Sequence, residues 1–149
     1  LIILAAVFLN FVLGFMGVTQ AILEGIKALG WTPMQTMIVI ICFYLLLGMF
    51  METLSMMLTT IPVVFPIIVY LGFDPVWFGI MITVLMEAAL ITPPIGINLY
   101  VVHGIRARGG NFNDVSYGAV PFLFGMFFLI AFLLIFPDLA LWLPQIVYH

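Results

Sequence analysis

Hydrophobic residues in this chain do not alternate with polar ones. They come in long runs, and the few polar positions between the runs carry the information. The first run, Leu1 to about Ile22, is long enough to cross a hydrocarbon core of about 30 Å, which takes roughly 20 helical residues. It gives way to Glu24, Lys27, Gly30 and Trp31, a charged boundary with a glycine and an interfacial aromatic. Residues 1–27 are therefore expected to form one spanning helix.

Two boundary signals follow, Leu29-Gly30-Trp31-Thr32-Pro33 and Leu71-Gly72-Phe73-Asp74-Pro75. Each reads as a helix start, because Thr32 and Asp74 can accept from orphan amides and Pro33 and Pro75 sit where no donor is lost. If both lie at one interface, residues 33–71 enter and return. Length supports the return, since one straight helix from Pro33 to Leu71 would run about 58 Å, roughly twice the core. A re-entrant hairpin is expected, turning at Gly48-Met49-Phe50-Met51-Glu52-Thr53 or, alternatively, at Thr59-Thr60-Ile61-Pro62. No basic residue lies between Lys27 and Arg106, so neither turn has the mark of a cytoplasmic loop.

Residues 75–105 would measure about 46 Å as one helix, and Thr92-Pro93-Pro94-Ile95-Gly96 interrupts them at the centre. Each proline lacks an amide proton, so the carbonyls of Ala89 and Leu90 are expected to lose their usual partners. Lipid cannot replace them, and such backbone is tolerated at membrane depth only where protein or a water-filled cavity surrounds it. Arg106 and Arg108 then stand in a glycine- and asparagine-rich loop with the character of a cytoplasmic one. A final spanning helix is expected within residues 116–143, its apolar run ending near Pro137, Asp138 and Trp142. The implied path has Leu1 inside, Gly30 and Gly72 outside, Arg106 inside and His149 outside.

Composition agrees, because 66% of the residues are hydrophobic and 6% charged, far from the soluble balance. The expected fold class is thus all-α integral membrane, with spanning helices, a re-entrant helical hairpin and a broken transmembrane helix. A net charge of −3 with only three basic residues excludes nucleic acid as a partner and leaves membrane lipid as the surroundings. The lone Cys42 offers neither a disulfide nor a metal-ligand pair and reads as a small hydrophobe. The chain opens on Leu1, apolar at once and without a signal-peptide pattern, as expected for the C-terminal part of a longer protein.

A hairpin tip and a broken helix in succession are how many secondary transporters build ion and substrate sites near the bilayer midplane. Carbonyls of Ala89, Leu90 and Ile91, with side-chain oxygens of Thr92 and Asn98, make a ligand set for sodium. The half-helix after Gly96 presents unpaired amides toward an anion. The bland alternative is a proline kink at Pro93 and Pro94 that only shapes packing. Glu52 and Glu87 interrupt apolar runs, where a charge costs about 2.5 kcal/mol or more. Ion coordination, proton coupling and capping of freed amides are all open to them. Thr53, Ser55, Thr59 and Thr60 are tip ligands or, as hydroxyls in membrane helices often do, bond their own preceding carbonyls. His103 reads as interfacial or as a proton relay, and Met49, Met51, Met56 and Met57 as adaptable packing.

Three stretches together resemble the large membrane subunit, DctM type, of tripartite ATP-independent periplasmic (TRAP) transporters, in its C-terminal half. They are residues 47–54 (Leu-Gly-Met-Phe-Met-Glu-Thr-Leu), residues 71–79 (Leu-Gly-Phe-Asp-Pro-Val-Trp-Phe-Gly), and Glu87 with residues 90–99 (Leu-Ile-Thr-Pro-Pro-Ile-Gly-Ile-Asn-Leu). Glu52 stands where an aspartate is as often expected, which keeps the acidic character.

The resemblance implies an elevator-type, sodium-driven importer of small organic acids such as C4-dicarboxylates, keto acids or sialic acid, in the inner membrane of a bacterium or archaeon. Its partners would be a small membrane subunit of DctQ type, a periplasmic binding protein of DctP type and the N-terminal half of the same subunit, with sodium as coupling ion and no other cofactor. It assigns Gly48 to Thr53 to the hairpin tip and Thr92 to Asn98 to the unwound centre that clamps sodium. A divalent-anion sodium symporter without a soluble receptor is the neighbouring alternative. An intramembrane enzyme using Glu52, Glu87 and His103 lacks a nucleophile and base at reachable spacing.

Overall fold

The computed structural model describes residues 1–106 and 109–147, and every regular element in them is helical. Arg108 and His149 lie outside the described residues. Eight helices follow in order: α1 Ile2–Phe15, α2 Val18–Leu29, α3 Pro33–Gly48, α4 Thr53–Tyr70, α5 Pro75–Leu90, α6 Ile97–Ile105, α7 Phe112–Ile135 and α8 Asp138–Val147. By length and composition α4 and α7 can each cross a membrane, and a third span exists if the bent pair α1 and α2 counts as one. The chain is an all-helical membrane protein segment.

The first run corrects an expectation. Residues 1–27 are not one helix but two, inclined by 54° at a break after Phe15. Gly17 causes it by taking a left-handed conformation at φ 68°, which costs a side-chain-bearing residue but not glycine. The last run differs too, since α7 stops at Ile135 and α8 begins at Asp138 beyond Pro137.

Residues 33–71 form a helical hairpin, α3 out and α4 back, turning over Met49 to Glu52. The turn falls at the first of the two candidate positions, while Thr59 to Pro62 stay helical inside α4. Thr32 caps α3 through a capping box with Gln35, and Asp74 caps α5 by accepting from the amides of Val76 at 2.8 Å and Trp77 at 3.0 Å. The two glycine–proline boundaries meet at one end of the molecule, where Lys27 Nζ stands 4.8 Å over the Tyr70 ring.

Helix α5 is the centre of the packing. Its Trp77, Phe78, Met81, Ile82, Leu85, Met86, Ala88 and Ala89 are all buried against α3, α4, α7 and α8. Within the hairpin, Tyr44 of α3 is fully buried and its hydroxyl lies 2.7 Å from Thr60 Oγ1 of α4, which ties the two arms together. Because the cap of α5 orients this central helix, Asp74→Ala should destabilise the fold by about 1 kcal/mol while Asp74→Asn is nearly neutral. Thermal unfolding of the complete subunit in nanodiscs checks this, and equal melting temperatures for the two variants would contradict it.

Candidate ion and substrate site

Three pieces converge at the site: the hairpin tip, the C-terminal end of α5, and the segment 91–96 that separates α5 from α6. Gly48, the last residue of α3, is buried against Ala89 so closely that a methyl group at position 48 would overlap the Ala89 methyl. Only a residue without a side chain lets the hairpin seat there. Gly48 and Ala89 thus make a direct contact between the tip and the broken helix.

Past Ala89 the chain leaves the helix. Pro93 and Pro94, joined by a cis peptide, supply no amide to the carbonyls four residues before them. The two carbonyls expected to be released behave differently. That of Ala89 accepts from the Thr92 amide at 3.1 Å in a tight turn, which occupies one of its two lone pairs. Those of Leu90 and Ile91 accept no hydrogen bond among the described residues. Gly96 is buried beneath this turn: a Cβ there would lie 2.9 Å from the Leu90 oxygen and 3.1 Å from the Thr92 oxygen, contacts that no larger residue tolerates. The Gly96 amide donates to the Thr92 carbonyl at 3.1 Å and closes the loop.

Thr92 Oγ1 donates to the Ala88 carbonyl at 2.7 Å, which leaves its lone pairs available to accept. Asn98, in the first turn of α6, is exposed and makes no hydrogen bond among the described residues. What the segment offers is therefore neutral oxygen: two carbonyls, one hydroxyl and one amide side chain. Such a set fits a hard monovalent cation. Among the described residues no three His, Cys, Asp or Glu side chains cluster.

The acids are placed apart. Glu52 is the N-cap of α4, where its carboxylate accepts from the amides of Leu54 and Ser55 and from Ser55 Oγ at 3.0 Å. Of its open readings the structure shows capping, with Thr53 half-buried beside it as the first residue of α4. Thr59 and Thr60 donate to preceding carbonyls at 2.7 Å, also the blander of their readings. Glu87 is exposed on α5 and has neither hydrogen bond nor ion pair among the described residues. With Gly79 and Thr83 it forms an open stripe on a helix whose other faces are buried.

The family model for the DctM component of the tripartite ATP-independent periplasmic transporter matches residues 1–139. The chain belongs to the DctM family. Similar proteins include the C4-dicarboxylate TRAP transporter large permease protein of Rhodobacter capsulatus, 36% identical over 97% of this chain and 32% of that protein. Its counterpart in Vibrio cholerae is 37% identical over the same shares, and the ectoine TRAP transporter large permease protein of Halomonas elongata 32% identical over 94% of this chain and 32% of that protein. The chain thus spans about a third of the length of the curated relatives it matches. DctM proteins are transporter permeases, so the enzyme alternative falls away.

Sequence reasoning missed Asn10, whose side-chain amide donates to the Leu58 carbonyl in the hairpin at 2.7 Å, and Trp77, whose Nε1 donates to the Leu133 carbonyl at 2.9 Å. A signal for both exists: each accepting carbonyl stands four residues before a proline, Pro62 and Pro137. The contact at the tip is the most easily broken. Gly48→Ala in the complete DctM subunit should lower its melting temperature and abolish most uptake, and adding Ala89→Gly should restore a large part of both. A Gly48→Ala variant with unchanged stability and uptake would show that the tip does not rest on Ala89.

Proposed function

We propose that this chain is about a third of a DctM subunit that imports a small organic anion by sodium symport, in a bacterial or archaeal inner membrane. The carrying observation is the pair of unclaimed carbonyls at Leu90 and Ile91, held over Gly96 beside the Thr92 hydroxyl and next to the seated hairpin tip. Sodium bound there would put positive charge between the ends of two helices. The amides of Ile97 and Asn98 at the start of α6 would face the anion from the other side of the break.

Substrate class is supported by the relatives' names, which specify C4-dicarboxylate, sialic acid and ectoine permeases. The first two are organic anions, and the amide-rich half-helix end suits a carboxylate. The exposed stripe of Gly79, Thr83 and Glu87 supports a larger assembly, since a carboxylate facing acyl chains is costly. In the longer protein that stripe faces protein or water. The remaining two thirds of the subunit, a DctQ-type membrane subunit and a DctP-type binding protein complete the system, with the hairpin and broken helix moving as one body in an elevator mechanism. An inward sodium ion crossing 100 mV contributes about 2.3 kcal/mol before its gradient is counted.

Uptake into proteoliposomes by the complete complex, with and without an inward sodium gradient, tests the reading. Accumulation should require sodium, and Thr92→Ala and Asn98→Ala should each raise the sodium concentration for half-maximal uptake several-fold. Uptake indifferent to sodium would overturn the proposal. Unchanged sodium dependence in both variants at normal expression would move the ion elsewhere.

A further inference from the structure

Inside α4, Pro62 has no amide proton, so the carbonyl of Leu58 loses the donor that a regular helix would give it. In an apolar bundle that oxygen would be costly to leave unmet. It is met from another helix: Asn10 Nδ2 of α1 approaches to 2.7 Å. The orientation is chemically forced, since a carbonyl only accepts and the amide nitrogen is the donor. Asn10 Oδ1 is buried without a partner, so the Leu58 bond is the one polar contact of this side chain among the described residues.

The same pattern recurs once. Leu133 stands four residues before Pro137, and its carbonyl takes the indole N–H of Trp77 from α5 at 2.9 Å. Among the described residues these are the only hydrogen bonds from a side chain to the backbone of a different helix, and both end on a carbonyl four residues before a proline. Helix α1 packs along α4 and reaches the rest of the molecule chiefly through it, and the break at Gly17 separates α1 from α2. One amide therefore ties the peripheral helix to the hairpin arm whose tip seats on Ala89.

We propose that Asn10 is a positioning residue for transport: by standing in for the donor that Pro62 removes, it holds the second arm of the hairpin against α1 and so sets the pose of the tip. The effect on transport rests on the sodium-symport reading above; the bond and its linkage to Pro62 do not. Losing the donor should slow the step in which the hairpin is presented to substrate, leaving the ion ligands untouched.

The test is a double-mutant cycle in the complete subunit, reconstituted with its partners. Asn10→Leu should lower the maximal uptake rate by roughly two- to tenfold, the range one buried hydrogen bond spans. The sodium concentration for half-maximal uptake should stay unchanged, unlike in Thr92→Ala. Pro62→Ala returns an amide to the Leu58 carbonyl, so in that background Asn10→Leu should cost far less, both in uptake and in melting temperature. If Asn10→Leu fails to fold alone, its folding in the Pro62→Ala background is the same rescue. Equal penalties for Asn10→Leu in the two backgrounds, or no penalty in either, would overturn the proposal. Because the melting-temperature cycle needs no transport, it separates failure of this linkage from failure of the sodium reading.

Discussion

A backbone carbonyl in hydrocarbon has no water to turn to, so each one must find a donor within the protein or face a cavity. In this chain prolines decide where that requirement becomes acute. Pro66 and Pro121 also lie inside helices, but at Pro62, Pro93, Pro94 and Pro137 the carbonyl four residues back is treated in one of three ways. A side chain from a neighbouring helix reaches in at Leu58 and Leu133. A tight turn recovers Ala89 through the Thr92 amide. Leu90 is left open, with Ile91 beside it, and an open oxygen is what a cation can use. The first two answers make structure; the third is the one on which the proposed ion site rests.

The site is then held by close approach rather than by charge. Gly48 admits the hairpin to Ala89, and Gly96 admits the Leu90 carbonyl to the turn. Of the two acids, for which ion coordination, proton coupling and capping were all open, Glu52 lies on the amides that open α4 and Glu87 on an outward face of α5. A neutral ligand set has a physical advantage here. Under the sodium-symport proposal, a site without a fixed negative charge would carry little desolvation penalty when empty, and a cation and an anionic substrate would bind and leave it jointly.

Much of this was legible in the residues because membrane length and proline chemistry are strict. The hairpin followed from 33–71 being too long for one span, and the break from Thr92-Pro93-Pro94-Ile95-Gly96. Its turn lies where Gly48 and Glu52 pointed. The bend at Gly17 was not legible, since a lone glycine in an apolar run is compatible with a continuous helix until packing selects φ 68°. The recovery of the Ala89 carbonyl depended on a tight turn that sequence does not specify. Asn10 was overlooked because a single amide in a long apolar run means nothing until its partner, Leu58 with Pro62 four residues on, is brought beside it.

In the proposed mechanism the main chain between Leu90 and Asn98 takes up sodium. Hydrogen–deuterium exchange of the whole subunit in nanodiscs, in sodium and then in choline at equal ionic strength, reads that backbone directly. Slower exchange in sodium, confined to peptides covering the hairpin tip and residues 90–99, is the predicted result. Identical exchange of those peptides in the two cations would contradict it.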